Sequence, residues 1–192
     1  GEGRLAHPGH ALAAHLGEGG RVAAGHPGHH VVAADAAHGA RAAKLRGQGE
    51  GGGARREAAA GGQTRLATLL KTHQPQIVII ELGANDALRG LQLQATEKNL
   101  RLMIQSSKQT GAKVLLLGMR IPPNYGAEYG NQFFRLFGKL ASAEQIEYLP
   151  FFLEKVADKA ELFQTDQIHP NAQAQSILLN NVWPKLKPML SH

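Results

Sequence analysis

Beyond residue 63 the apolar positions fall into two alternating rhythms. Leu66, Leu69 and Leu70 share one helical face, predicting a helix over residues 64–73 that Gln74-Pro75 ends. Ile77-Val78-Ile79-Ile80 is an unbroken β-branched run, the mark of a short strand buried on both faces. It leads into a turn, Glu81-Leu82-Gly83-Ala84-Asn85-Asp86, where Gly83 suits a backbone that needs an unusual dihedral. Leu100, Met103 and Ile104 line a helix over 94–109, closed by Gly111. Val114-Leu115-Leu116-Leu117 is a second buried strand. Ile121-Pro122-Pro123-Asn124-Tyr125-Gly126 is a loop, because paired prolines and Asn/Gly bar regular structure. Phe133, Phe134 and Phe137 predict a helix over 131–143 with its aromatic face toward the core. A third strand follows at 146–149, then a last helix over 170–190 with Pro170 at its first position. Strands alternating with helices predict an α/β fold around a parallel sheet. Ligands of such sheets sit beyond the carboxyl ends of the strands, which is where Asn85 and the Pro122–Gly126 loop fall.

The first 63 residues follow neither rhythm. They hold no Ser, Thr, Asn, Ile, Met, Phe, Tyr or Trp, and Gly, Ala, His and Arg dominate. By propensity such a stretch supplies neither strands nor an aliphatic core. Every residue in it except Lys44 belongs to a type with codons beginning in G or C. That alphabet is what a GC-rich gene yields when read one base out of frame. The composition therefore predicts that residues 1 to about 63 are not the natural protein sequence. The competing reading is a genuine low-complexity Gly/Ala/His-rich leader. Recovery of His26-Pro27-Gly28-His29-His30 peptides from the purified protein would establish the leader. The out-of-frame reading carries a structural expectation. Three strands leave open edges, so the backbone of this segment forms at least one central strand reaching toward His169, with side chains that do not suit their places.

Composition narrows the chemistry. With 192 residues the chain is long enough for one domain with a substantial core. The net charge of +6 is scattered, without a Lys/Arg run, and aromatics are few, so a nucleic-acid partner is not expected. The absence of cysteine excludes disulfides, thiolate catalysis and thiolate-ligated zinc. No apolar run reaches the length of a membrane span, and no signal peptide is visible at the start. His26, His29 and His30 look like a metal tract, but no carboxylates are arranged around them to complete a specific site.

Candidate catalytic chemistry lies in Asp166-Gln167-Ile168-His169-Pro170. A general-base histidine needs one ring nitrogen facing a nucleophile and the other held by an acceptor, and an Asp three residues ahead on a tight loop can hold it. Taken alone, the pair reads as a turn and a helix cap in preference to a base and its partner. Asn85 at a strand's end can donate to a developing oxyanion, or cap the next helix.

Together, Glu81–Asp86 after one buried strand, Ile121–Gly126 after the next, and Asp166–Pro170 near the C-terminus resemble the SGNH (GDSL) hydrolases, in particular the bacterial thioesterase/lysophospholipase/arylesterase group. The resemblance covers about Gly62 to His192. It implies a single domain over 1–192 with a three-layer α/β/α sandwich, a flavodoxin-like architecture with a central parallel sheet. It implies a serine esterase or thioesterase acting through an acyl-enzyme, with His169 as base, Asp166 as its partner and Asn85 in the oxyanion hole. Leu88, Pro123 and Tyr125 would border the acyl group. It further implies a small acyl ester or thioester substrate, no cofactor or metal, a monomer, and a periplasmic or secreted location. The family's nucleophilic Ser lies in an N-terminal Gly-Asp-Ser block that this sequence lacks; family spacing places it near Val22. The serines present are Ser106, Ser107, Ser142, Ser176 and Ser191, all after Asn85. Read literally, the chain is instead a catalytically inactive SGNH-like binding module with a Gly/Ala/His-rich leader.

Overall fold

The computed structural model describes residues 22–24, 30–35, 66–167 and 169–190, with side chains from Leu66 onward. Five strands form one sheet in the order β1 (Val22–Ala24), β2 (His30–Asp35), β3 (Ile77–Glu81), β4 (Lys113–Leu117) and β5 (Glu147–Leu149). β1 runs antiparallel to β2, and β2 through β5 are mutually parallel. Helices α1 (residues 66–73), α2 (Ala84–Leu88), α3 (Leu93–Gln109), α4 (Ala127–Glu144) and α5 (Gln175–Leu190) fall between and after the parallel strands. The result is a three-layer α/β/α arrangement.

The core follows from the two unbroken apolar runs. Ile77 to Ile80 and Val114 to Leu117 are all buried, so both faces of β3 and β4 are covered. Leu100, Met103 and Ile104 of α3 close over the sheet, as their spacing predicts, with Phe133, Leu136, Phe137 and Leu140 of α4 beside them. The Phe133 and Phe137 rings meet edge to face at 5.1 Å, a favoured aromatic geometry. Phe134 departs from the expectation. It is only half-buried and carries the guanidinium of Arg120 instead of joining the core.

Three boundaries also differ. α4 begins at Ala127 rather than 131, since Gly126 at φ 94° ends the proline loop and lets the helix start at once. Pro123–Tyr125 is a single 3₁₀ turn. Pro170 is not the first residue of the last helix. It sits in a bridge to Phe163, and the Asn171 side chain caps a 3₁₀ turn, Ala172–Ala174, that leads into α5.

The expectation that residues 1–63 supply no strands is corrected in part. The three valines of that segment, Val22, Val31 and Val32, all lie in β1 and β2. These are its only β-branched residues, and β-branched side chains favour strands. β2 is an interior strand, with Val31 to Asp35 opposite Ile77 to Glu81. Val22 stands opposite Val32 in the antiparallel edge strand, three residues back from the end of β2 at Asp35. Although family spacing points near Val22, that residue therefore does not occupy the carboxyl end of a parallel strand, where the resemblance puts the nucleophile. Which way its side chain points, and how residues 1–63 fill their places, lie outside the described residues.

Register aligns the carboxyl ends. Asp35 pairs with Glu81 and Leu117 with Leu149, and the segments beyond β4 and β5 stay joined through Gly118 N–H to the Leu149 carbonyl (2.7 Å) and Phe152 N–H to the Gly118 carbonyl (2.9 Å). A Cβ on Gly118 would lie 2.9 Å from the Leu149 carbonyl oxygen and press on the Pro150 carbonyl as well. Only glycine permits that approach. Gly118→Ala should therefore lower unfolding stability by about 1–3 kcal/mol, the usual cost of overpacking, as read by urea denaturation; an unchanged midpoint would show that the two segments separate freely.

Candidate active site

The Asp166–His169 loop is closed at its base. Phe163 and Pro170 form the bridge, Gln164 N–H donates to the His169 carbonyl (2.7 Å), and Gln167 N–H donates to the Gln164 carbonyl (2.9 Å). Gln167 takes a left-handed conformation, φ 56°, which reverses the chain. The reversal folds the Asp166 carboxylate back on His169. One oxygen accepts from the His169 backbone N–H at 3.0 Å, and the other lies 2.6 Å from ring Nδ1. Two contacts from one carboxylate fix both the position and the rotation of the imidazole. Nδ1–H then faces Asp166, and Nε2 is left as the basic nitrogen. His169 does not cap the following helix; Asn171 does, accepting from Gln173 N–H at 2.9 Å and Ala174 N–H at 3.3 Å.

The direction of α5 places this pair on the sheet. Lys113 is the first residue of β4, and its ammonium donates to the Met189 carbonyl at the end of α5 (3.0 Å). Asn181, midway along α5, donates to the carbonyls of Phe152 (3.0 Å) and Glu154 (2.8 Å), just past β5. The helix thus runs from the carboxyl edge of the sheet to the amino edge. Its 16 residues span roughly 24 Å, more than the roughly 17 Å of a five-residue strand. His169, immediately before it, lies over the carboxyl edge.

Asn85 follows β3 on the same edge. The expected turn there is the short helix α2, whose N-cap is Gly83 at φ 107°, with no side-chain cap. Asn85 is thus the second residue inside a helix and not a cap. Gly83 is favoured by its left-handed backbone, and a Cβ there would also meet Thr96 Cγ2 at a tight 3.1 Å. Thr96 is buried and donates its hydroxyl to the Asp86 carboxylate (3.2 Å). Tyr129 donates to the Leu91 carbonyl (2.7 Å), tying the far end of the segment to α4. Burial raises the Asp86 carboxyl above its ordinary value, against the Thr96 hydrogen bond and the Arg89 charge, which lower it. Tyr129 is raised in turn, first by burial and then by the Asp86 charge. These braces on the Asn85 segment carry no signal in a motif; a Thr in the apolar stripe of α3 is the one feature of the sequence that could mark them.

Of the three residues expected to border a substrate, Leu88 ends α2 and is half-buried, while Pro123 and Tyr125 are exposed in the 3₁₀ turn after β4. All three lie on segments that follow strand carboxyl ends. Among the described residues no three His, Asp or Glu gather to hold a metal ion, and the side chains of His26, His29 and His30 lie outside them.

Residues 5–177 match the GDSL-like lipase/acylhydrolase family, and the chain belongs to it. The match begins well before Gly62, where the motif resemblance was expected to start, and ends before the C-terminus. Among individual proteins, the chain is 48% identical to esterase TesA of Pseudomonas aeruginosa over 134 residues, 70% of this chain and 67% of that protein. It is 44% identical to thioesterase 1/protease 1/lysophospholipase L1 of Escherichia coli strain K12 over 131 residues, 68% of this chain and 63% of that one. The crystal structure of TesA superposes with a TM-score of 0.66 over 69% of this chain and 73% of its own. AlinE4, an SGNH-hydrolase family esterase, superposes at 0.57 and 29% identity over 84% of this chain and 96% of its own.

Asp86 yields a pH test. Its carboxyl holds its proton more tightly folded than unfolded, so the folded state binds more protons as pH rises from the ordinary value near 3.8. Its contribution is fully present below that value and is lost as pH rises through the raised folded value. Urea unfolding of wild type and Asp86→Asn from about pH 3 to about pH 7 should show the wild type losing ground to the variant as pH rises. The opposite trend would mean that the carboxylate is stabilised where it sits.

Proposed function

We propose that the protein is a serine esterase/thioesterase that cleaves acyl esters or thioesters through an acyl-enzyme. The observation that carries the proposal is the Asp166 carboxylate held 2.6 Å from His169 Nδ1, over the sheet edge that Asn85 shares. A serine oxygen attacks the acyl carbonyl while His169 Nε2 removes its proton. Asp166 keeps the ring in the tautomer that makes Nε2 basic and stabilises the imidazolium that forms. The tetrahedral oxyanion takes a hydrogen bond from the Asn85 side chain. His169 returns the proton to the departing alcohol or thiol. Water then attacks the acyl-enzyme with His169 again as base, releasing the acid and the serine. Leu88, Pro123 and Tyr125 border the acyl chain in this reading.

The serine belongs to the natural sequence of residues 1–63, displaced here by the change of reading frame. The family match from residue 5 and the interior position of β2 both support a segment that is part of the domain. A periplasmic or secreted, monomeric enzyme completes the proposal; no described helix is long and apolar enough to cross a membrane. One observation favours a second reading, the inactive binding module: no serine precedes Ser106.

Assay of p-nitrophenyl butyrate hydrolysis separates them. Protein translated in the natural frame should hydrolyse the ester, and Asp166→Asn should lower its kcat by roughly 10³–10⁴. Asn85→Ala should lower it by roughly 10²–10³. An inactive natural-frame protein would leave the binding module standing.

A further inference from the structure

Arg120 lies three residues past β4, at the carboxyl edge and immediately ahead of the Ile121–Gly126 loop. Its guanidinium carbon stands 3.8 Å from the Phe134 ring centroid and 5.6 Å from that of Phe151. Phe134 comes from α4 and Phe151 from the segment after β5, so two elements meet on this one side chain. Both distances are within cation–π range. The rings hold the guanidinium by its charge and do not hydrogen-bond its N–H groups. Among the described residues no carboxylate lies within ion-pair reach of it, and the side chain is exposed.

The lysines at the opposite edge of the sheet are arranged differently. A groove of about 620 Å³ there is lined by Lys108, Lys113 and Lys185. Lys108 donates to the Glu144 carbonyl (2.6 Å), Lys113 to that of Met189 (3.0 Å), and Lys185 pairs with Glu147 (3.6 Å). Those cations neutralise helix C-termini and a neighbouring carboxylate. Arg120 differs: its charge faces the Phe134 and Phe151 rings and favours the ionised form of Tyr148, and among the described residues no carboxylate or helix C-terminus takes its N–H groups.

We propose that Arg120 is a substrate-recognition residue that binds an anionic oxygen group, a phosphate or a carboxylate, carried by the substrate at the mouth of the site. A guanidinium presents its N–H groups as a rigid planar fork that matches such oxyanions. Stacking on Phe134 removes most of its rotational freedom before the anion arrives, which lowers the entropy cost of binding. The specificity so produced favours amphiphilic substrates with an acyl chain and an anionic group over neutral esters of the same length. This inference rests on the carboxyl edge being the substrate site, but it needs no nucleophile, so it is tested by binding alone.

The test is calorimetric titration of the folded 192-residue chain with n-octyl phosphate, octanoate and n-octanol. The phosphate should bind about tenfold more tightly than the alcohol, the low end for a charge-assisted hydrogen bond at an exposed site. The advantage should shrink as ionic strength rises. An advantage shared by octanoate assigns the subsite to carboxylates as well, and one confined to the phosphate assigns it to phosphorylated groups; either upholds the proposal. Arg120→Gln should bring the anions to within about twofold of the alcohol. Arg120→Lys should recover only part of the difference, because an ammonium lacks the fork. A purely structural role for Arg120 would instead lower the thermal midpoint of Arg120→Gln while leaving the anion preference intact. That result, or equal affinity of all three ligands for the wild type, would overturn the proposal. Loss of ester hydrolysis in the natural-frame protein with the preference intact would overturn the proposed reaction and leave the assignment of Arg120 in place.

Discussion

Ile77 to Ile80 and Val114 to Leu117 lie side by side in parallel register, buried on both faces. Every feature of the site depends on that pair. A parallel ladder cannot be closed by a tight turn, so each strand must be followed by a helix that returns the chain to its starting edge. All connections that leave the strands then emerge on one side. Asn85, Arg120 and the proline loop leave β3 and β4 there. α5 is anchored by Lys113 at the opposite edge, which brings His169 to the same side. The arrangement of the candidate site is thus a consequence of strand direction and not of any contact between the motifs along the chain.

On this scaffold the site is set by short-range geometry. The Asp166 carboxylate orients His169 from within one loop, so the imidazole does not depend on a distant element for its tautomer. Asn85 depends on more. Its helix begins on a left-handed glycine pressed against Thr96, while Thr96 and Tyr129 hold the two ends of the segment through Asp86 and Leu91. Burying an ionisable Asp86 there costs stability at neutral pH, the kind of local cost that functional segments carry. Arg120 adds a fixed positive charge to the same edge.

Much of this was legible in the sequence. The unbroken β-branched and leucine runs announced buried parallel strands, and Leu100, Met103 and Ile104 announced the face of α3. The pairing of Asp166 with His169 followed from their spacing. Other features were not legible, for identifiable reasons. Phe134 has the spacing of a core residue, and only the tertiary meeting with Arg120 explains why it stays half-buried. Pro170 matches a helix start, but the bridge to Phe163 claims it first. The turn after β3 conceals a short helix because Gly83 reads as an ending rather than as an N-cap. The open edges of the sheet called for a strand from residues 1–63, and β2 is one. The places of β1 and β2 were not legible, because three valines among glycines and alanines fall below any strand signal; pairing of β2 with β3, and of β1 with β2, gives them their places.

In the proposed reaction this fold carries an activated serine supplied by the natural sequence of residues 1–63. A fluorophosphonate forms a covalent bond only with a serine whose proton a neighbouring base can take. Labelling the natural-frame protein, followed by peptide mass mapping, tests the claim directly. The account predicts a single label on a serine within the segment numbered 1–63 here, lost in His169→Ala. A label on Ser106, Ser107, Ser142, Ser176 or Ser191, or no label at all, would contradict it.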